Sequence, residues 1–179
     1  MAEVIADWAG AERLFRLDLG GVLDLEEACH RDAIGSIFLR ISTGQFKAMD
    51  VHHVLRLALI GGGMAKVEAK QLLDDRFDTI PYLESATLAG EILIALMSGV
   101  EEGEADDATG DPAPWKFSEL SQICRVFNMS PADLRAMSYP DFLNMLKGYN
   151  ATTAQKAAPP TEEEFEEILA KYEPEALRQ

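Results

Sequence analysis

The stretch Asp50–Met64, DVHHVLRLALIGGGM, decides the fold class. Asp50 suits a helix N-cap, because its carboxylate can accept a bond from a backbone N–H that the first turn leaves without a partner. Val51, Val54, Leu55, Ala58 and Leu59 recur at the three-and-four spacing that places apolar side chains on one helical face. Gly61, Gly62 and Gly63 then end the helix, since glycine takes the left-handed backbone without a Cβ clash. Ala65 to Phe77 begins a second helical pattern at once. The centre of the chain reads as helix, glycine stop, helix.

Toward the N-terminus, Leu14–Leu19 (LFRLDL) alternates apolar and polar residues in the period of a strand, with Phe15, Leu17 and Leu19 on one face. Gly20-Gly21 follows as a turn. A short helix is expected over Leu23–Cys29, with Asp24, Glu26 and Glu27 near the positive end of its dipole. Another over Asp32–Ile41 should bury Ile34, Ile37, Phe38 and Ile41, and Ser42-Thr43-Gly44 breaks it. Toward the C-terminus, Thr79-Ile80-Pro81 precedes a helix near Leu83–Met97. Its two rows, Leu88–Ile92–Leu96 and Ala89–Leu93–Met97, make a broad apolar face that needs a deep core or a partner's surface.

The 179 residues carry a formal net charge of −15 with a pI near 4.5, and 47% are hydrophobic. That balance argues against nucleic acid and anionic membranes as main partners, because both repel such a chain. The window Ala86–Val100 is too short to span a bilayer and contains Glu91, so a buried helix is expected there. Met1–Gly10 carries Glu3 and Asp7 and lacks the basic and apolar regions of a secretory signal. Cys29 and Cys124 lie far apart, as expected for reduced structural thiols.

Glu101–Asp111 holds six acids, two glycines and no base, with Pro112 and Pro114 next. Such a composition cannot bury enough apolar area to order itself, so a flexible linker (101–114) and a domain boundary are expected. Trp115–Tyr149 reads as a second small helical unit. Phe117–Phe127 forms its first helix, Ser130-Pro131 opens another, and Tyr139-Pro140 opens a third through Leu146. A second linker (150–160) precedes an acidic helix, Glu162–Tyr172, whose Thr161 and Glu164 have capping-box spacing. The expected fold is mainly α: a helical bundle over residues 1–100 with a short N-terminal β element, the small helical unit over 115–149, and the acidic C-terminal helix within 161–179.

No catalytic, metal or cofactor residue is assigned. His52 and His53 are adjacent, so on a helix they point about 100° apart and cannot share one metal from one face. The glycine run follows a helix, and Lys66 has no hydroxyl residue directly after it, unlike a phosphate loop. Ser36, Ser42 and Ser121 lack the glycine elbow of a nucleophile. Leu120–Leu134 resembles a helix-turn-helix in outline. Yet Lys and Arg outnumber Asp and Glu only four to three across Trp115–Asn150, which offers few phosphate contacts.

Two pieces of the chain resemble a known family. Phe15–Gly63 is similar to the tail-assembly proteins of gene transfer agents and related long-tailed phages. The shared pieces are Leu19–Ala28 (LGGVLDLEEA), Gly44–Phe46 and, most specifically, Asp50–Met64; the likeness extends with less force to about Val100. Trp115–Gly148 resembles the small companion segment of the same systems, through Trp115, Ser130-Pro131-Ala132-Asp133-Leu134, Met137, Asp141-Phe142 and Met145-Leu146. Leu134 and Arg135 depart from that pattern, in which aromatic residues are common, and the acidic tail does not align.

The resemblance implies a non-enzymatic chaperone of the bacterial host cytoplasm. It would coat the helical tape-measure protein until the tube polymerises and be absent from the finished particle. The tail tube protein and a second copy of the chain are further candidate partners. Apolar excess, not the family, suggests the partner-binding residues: Leu88, Ile92, Leu93, Leu96 and Met97 on one face, and Phe142, Met145 and Leu146 on another. The alternatives are a structural tail or connector component and a helix-turn-helix DNA-binding regulator.

Overall fold

Glu3, Ile5 and Asp7 alternate with Val4, Ala6 and Trp8 in the period that gives a strand one covered face. In the computed structural model, which describes residues 3–98 and 113–157 and side chains through residue 151, this segment is strand β1 (Glu3–Trp8). It pairs antiparallel with β2 (Ala11–Arg16), with Val4 opposite Phe15 and Trp8 opposite Ala11. Ala9 and Gly10 both have positive φ, as a two-residue hairpin turn requires. The strand predicted over Leu14–Leu19 thus lies earlier, and its partner precedes it. Gly20 and Gly21 are not a turn. They lie in α1 (Leu19–Ala28), which Asp18 caps by accepting the Gly21 N–H at 2.7 Å.

Helix α2 (Ile34–Ser42) buries Ile34, Ile37 and Ile41, while Phe38 is only half-buried. The central helix α3 (Ala48–Gly61) buries Val51, Val54, Leu55, Ala58 and Leu59, the five residues predicted to share a face. Its N-cap is Lys47. Asp50 sits inside the first turn and reaches back to accept the Lys47 N–H at 3.1 Å. Next come α4 (Lys66–Arg76), a 3-10 turn (Phe77–Thr79) and α5 (Tyr82–Met97). Five elements, β2, α1, α2, α4 and α5, pack on α3.

The glycines of α3 do more than stop it. Trp8 and Ala11 flank a two-residue turn and so form a hydrogen-bonded pair; the antiparallel alternation leaves the Leu14 and Arg16 carbonyls pointing off the sheet. They point at α3. A Cβ on Gly61 would overlap the Arg16 carbonyl oxygen, and one on Gly62 would overlap that of Leu14. Gly62 has φ −75° and only Gly63, at +104°, is left-handed. Close backbone approach, rather than a left-handed stop, therefore explains the first two glycines.

The described remainder comprises α6 (Phe117–Val126), α7 (Pro131–Ala136), capped by Ser130, and α8 (Tyr139–Ala157). The chain divides into compact units of residues 1–144 and 145–179. Residues 113–144 fall in the first of these units. Glu26, buried in α1, accepts the Ile34 N–H at 2.9 Å and the Trp115 N–H at 3.3 Å. The Leu19 N–H donates to the Met137 carbonyl at 2.9 Å, and Gly20 leaves room for Arg135, whose Cβ would lie 3.2 Å from a Cβ added there. Of the second unit, the described part is the run of α8 beyond Asn144, helical through Ala157, so helix covers residues 150–157 of the predicted second linker. Nearly all of the acidic linker, and the predicted terminal helix Glu162–Tyr172, lie outside the described residues. The fold is mainly helical, with a single two-stranded sheet among the described residues.

One polar cluster is buried beside α3. Asp50 is 2% exposed and pairs with Arg40 at 3.0 Å, while Arg40 also holds Asp32 at 2.8 Å. Burial and the neighbouring Asp50 push the Cys29 thiol up to about 12, so it stays protonated. Burial alone would raise the Asp50 carboxyl, but the Arg40 hydrogen bond, the Lys47 N–H, the Arg40 charge and the Cys29 thiol together hold it below its ordinary value.

Two outcomes are expected. Gly62→Ala should destabilise the protein by about 2 kcal/mol or more in denaturant melts, although alanine is the better helix former by about 1 kcal/mol; a stabilised variant would refute the backbone contact. The depressed Asp50 carboxyl contributes stability that is complete above its unfolded value of about 4 and is lost as pH falls through the lower folded value. Asp50→Asn should therefore cost about 3 kcal/mol at neutral pH and flatten the acid limb of a stability–pH profile.

Candidate interaction surface

The apolar rows of α5 fall on its inner side. Leu88 is 5% exposed, Ile92 2%, Leu93 0% and Leu96 2%, all covered by packing on α2, α3 and the hairpin; Met97 is half-buried. Most of the face on which partner-binding residues were expected thus packs inside the fold, with Leu88 also lining a surface groove. Phe142 is also fully buried, with its ring edge-on to Trp115 at 5.1 Å. Met145 and Leu146 are half-buried. A helix that is apolar on two adjacent rows looks the same in sequence whether neighbours or a partner cover it.

The outer side of α5 carries the surface instead. Leu83, Thr87, Glu91 and Ile94 follow one another at helical spacing and are all exposed, Leu83 at 75% and Ile94 at 58%. Beside them runs β1. A groove of about 500 Å³ lies between the two, floored by Ala6, Trp8 and Leu88 and flanked by Pro81 and Leu83. Trp8 ties β1 to α5 beneath it, because its buried indole donates through Nε1 to the Ser85 hydroxyl at 3.2 Å. Asp7, Glu84 and Glu91 ring the groove, and none of the three is ion-paired among the described residues. The surface is apolar at its floor and acidic at its rim, which suits an apolar partner that also carries positive charge. The sequence did offer one signal: Leu83 and Ile94 interrupt an otherwise polar row.

Two other features have structural explanations. The arginine of α7, Arg135, pairs with Asp24 at 2.6 Å and donates to the Gly20 carbonyl at 3.2 Å. The one cation on the would-be recognition helix, which is only six residues long, is thereby held on α1. His52 stands edge-on to Phe77 at 5.2 Å and to His53 at 5.5 Å. Burial holds both imidazoles below their ordinary value. Among the described residues no group of three His, Cys, Asp or Glu side chains could hold a metal ion. No described helix is long and apolar enough to cross a membrane.

Residues 1–99, the hairpin through the end of α5, match the family described as "Phage tail tube protein, GTA-gp10". The chain belongs to this phage tail family. No curated protein and no solved structure matches it. The match covers the groove and the whole of α5, and it stops before the segment that begins at Trp115.

Leu93→Ala should cost about 2–5 kcal/mol, the usual result of emptying a filled core position. Leu83→Ala should stay within about 0.5 kcal/mol of the parent. Equal losses in thermal melts would contradict this assignment of inner and outer faces.

Proposed function

We propose that this tail-family chain is a non-enzymatic assembly chaperone that binds the helical tape-measure protein and keeps it soluble until the tube forms around it. The carrying observation is the acid-rimmed apolar surface of α5 and β1, which lies within the stretch that matches the tail family. A tape-measure protein stripped of its tube exposes long apolar helical faces, and a partner with exposed Leu83 and Ile94 can cover them. The net charge of −15 would keep the complex dispersed. The resemblance of Trp115–Gly148 to the companion segment of chaperone systems supports the same reading. The site of action is then the bacterial host cytoplasm, and the finished particle lacks the chain.

A second reading, a structural tube or connector component, draws on the family's description as a tail tube protein. Persistence in the particle separates the two. Co-expression with the tape-measure protein of the same gene cluster should give soluble tape measure that co-elutes with the chain. Leu83→Asp combined with Ile94→Asp should lose both effects while staying folded. Tape measure that precipitates with or without the chain overturns the chaperone reading, and stoichiometric recovery of the chain from purified particles establishes the structural one.

A further inference from the structure

The two edges of the hairpin are treated differently. The β2 edge is closed, because its outward carbonyls, Leu14 and Arg16, face Gly62 and Gly61 of α3. The same hydrogen-bond phase turns the backbone groups of Glu3, Ile5 and Asp7 outward on β1. That edge borders the groove beside α5. We propose that β1 accepts an added strand: an extended segment of a partner protein that alternates apolar and basic residues.

Three observations specify this occupant. The backbone groups of Glu3, Ile5 and Asp7 are a row of donors and acceptors at strand spacing, which an extended chain satisfies in register. Side chains of the added strand on the inner face, beside Ala6 and Trp8, enter the groove against Leu83 and Leu88. Those on the outer face lie beside Glu3, Ile5 and Asp7, where lysine or arginine finds the Asp7 carboxylate, and that of Glu3 already bridged to Arg16 at 3.3 Å, and lays its aliphatic stem along Ile5, itself 66% exposed. Glu84 and Glu91 on α5 add charge of the same sign. A second copy is a poor occupant. Antiparallel self-pairing centred on Ile5 sets Glu3 against Asp7 twice, and like charges directly opposite one another are destabilising.

The occupant is defined by backbone geometry and charge, so the inference does not depend on the tape-measure reading. The test uses the full-length chain and a short, end-blocked peptide alternating lysine and valine. Binding is followed by calorimetry, with hydrogen exchange of the Ile5 and Asp7 amides read by NMR. Saturable binding that slows exchange at both amides is expected. Ile5→Pro removes an outward donor without breaking the β1–β2 ladder and should weaken binding about tenfold or more, as should Glu84→Lys with Glu91→Lys. The same peptide N-methylated at alternate residues keeps its charge and should fail to bind. Equal binding of the methylated peptide would mean simple charge attraction and overturn the proposal. So would no binding by the parent peptide, unchanged affinity in a folded Ile5→Pro variant, or protection of the two amides by self-association alone.

Discussion

The contact between the glycine end of α3 and the backbone of β2 is the constraint on which the rest of this structure depends. A helix normally stands off a strand by the length of its side chains. Here Gly61 and Gly62 remove that spacing, and the end of the helix meets the Arg16 and Leu14 carbonyls directly. Because α3 is also the helix on which α1, α2, α4 and α5 pack, its position against the hairpin fixes the reference frame for every other element of residues 1–98. A two-stranded hairpin is marginal alone in water. This one is held by Phe15 and Trp8 in the core and by the closed β2 edge.

Buried polar groups then decide which loops meet. Asp50 and Arg40 join the start of α3 to α2, and Asp32 extends the pair to the α1–α2 connection. Glu26 joins the start of α2 to Trp115 through two backbone N–H groups. Burial raises the Glu26 carboxyl, and those two bonds work against the shift. Burying such groups is costly unless they are well paired, so these clusters are better read as fixing one arrangement of chain segments than as a large source of stability. Glu26 matters most here. It gives residues 113–144 a fixed address on α1 that their own sparse core, with Leu134 and Phe142 but no fully buried residue in α6, could not supply.

Much of this was legible in the sequence, because amphipathic period reports burial directly. The face of α3, the helical class and the Ser130 cap could be read from spacing, and the likeness of the first segment to tail proteins from its motifs, above all Asp50–Met64. Three things could not. Gly20-Gly21 carries a turn signal, yet Gly20 is small so that Arg135, more than a hundred residues away, can pack against it. Strand β1 has an alternation weakened by the outward Ile5, which is 66% exposed, so its period does not announce one buried face. The broad apolar face of α5 announced burial but not what buries it, and the outer row with Leu83 and Ile94 carried the weaker signal precisely because an accessible surface must remain soluble.

A chaperone of the kind proposed must also let its client go, and the surface has the physical character for that. Its groove is open and shallow, and the acids around it are solvated. Exposed charges of this sort speed encounter with a basic segment and select against acidic ones, while each adds little to the strength of the final complex. Binding built from many such weak, replaceable contacts is fast to form and fast to reverse, so tube subunits that cover the same client more completely can displace it. A deep apolar slot lined by Ile92, Leu93 and Leu96 would hold a client far longer, and the fold spends those residues on its own core instead.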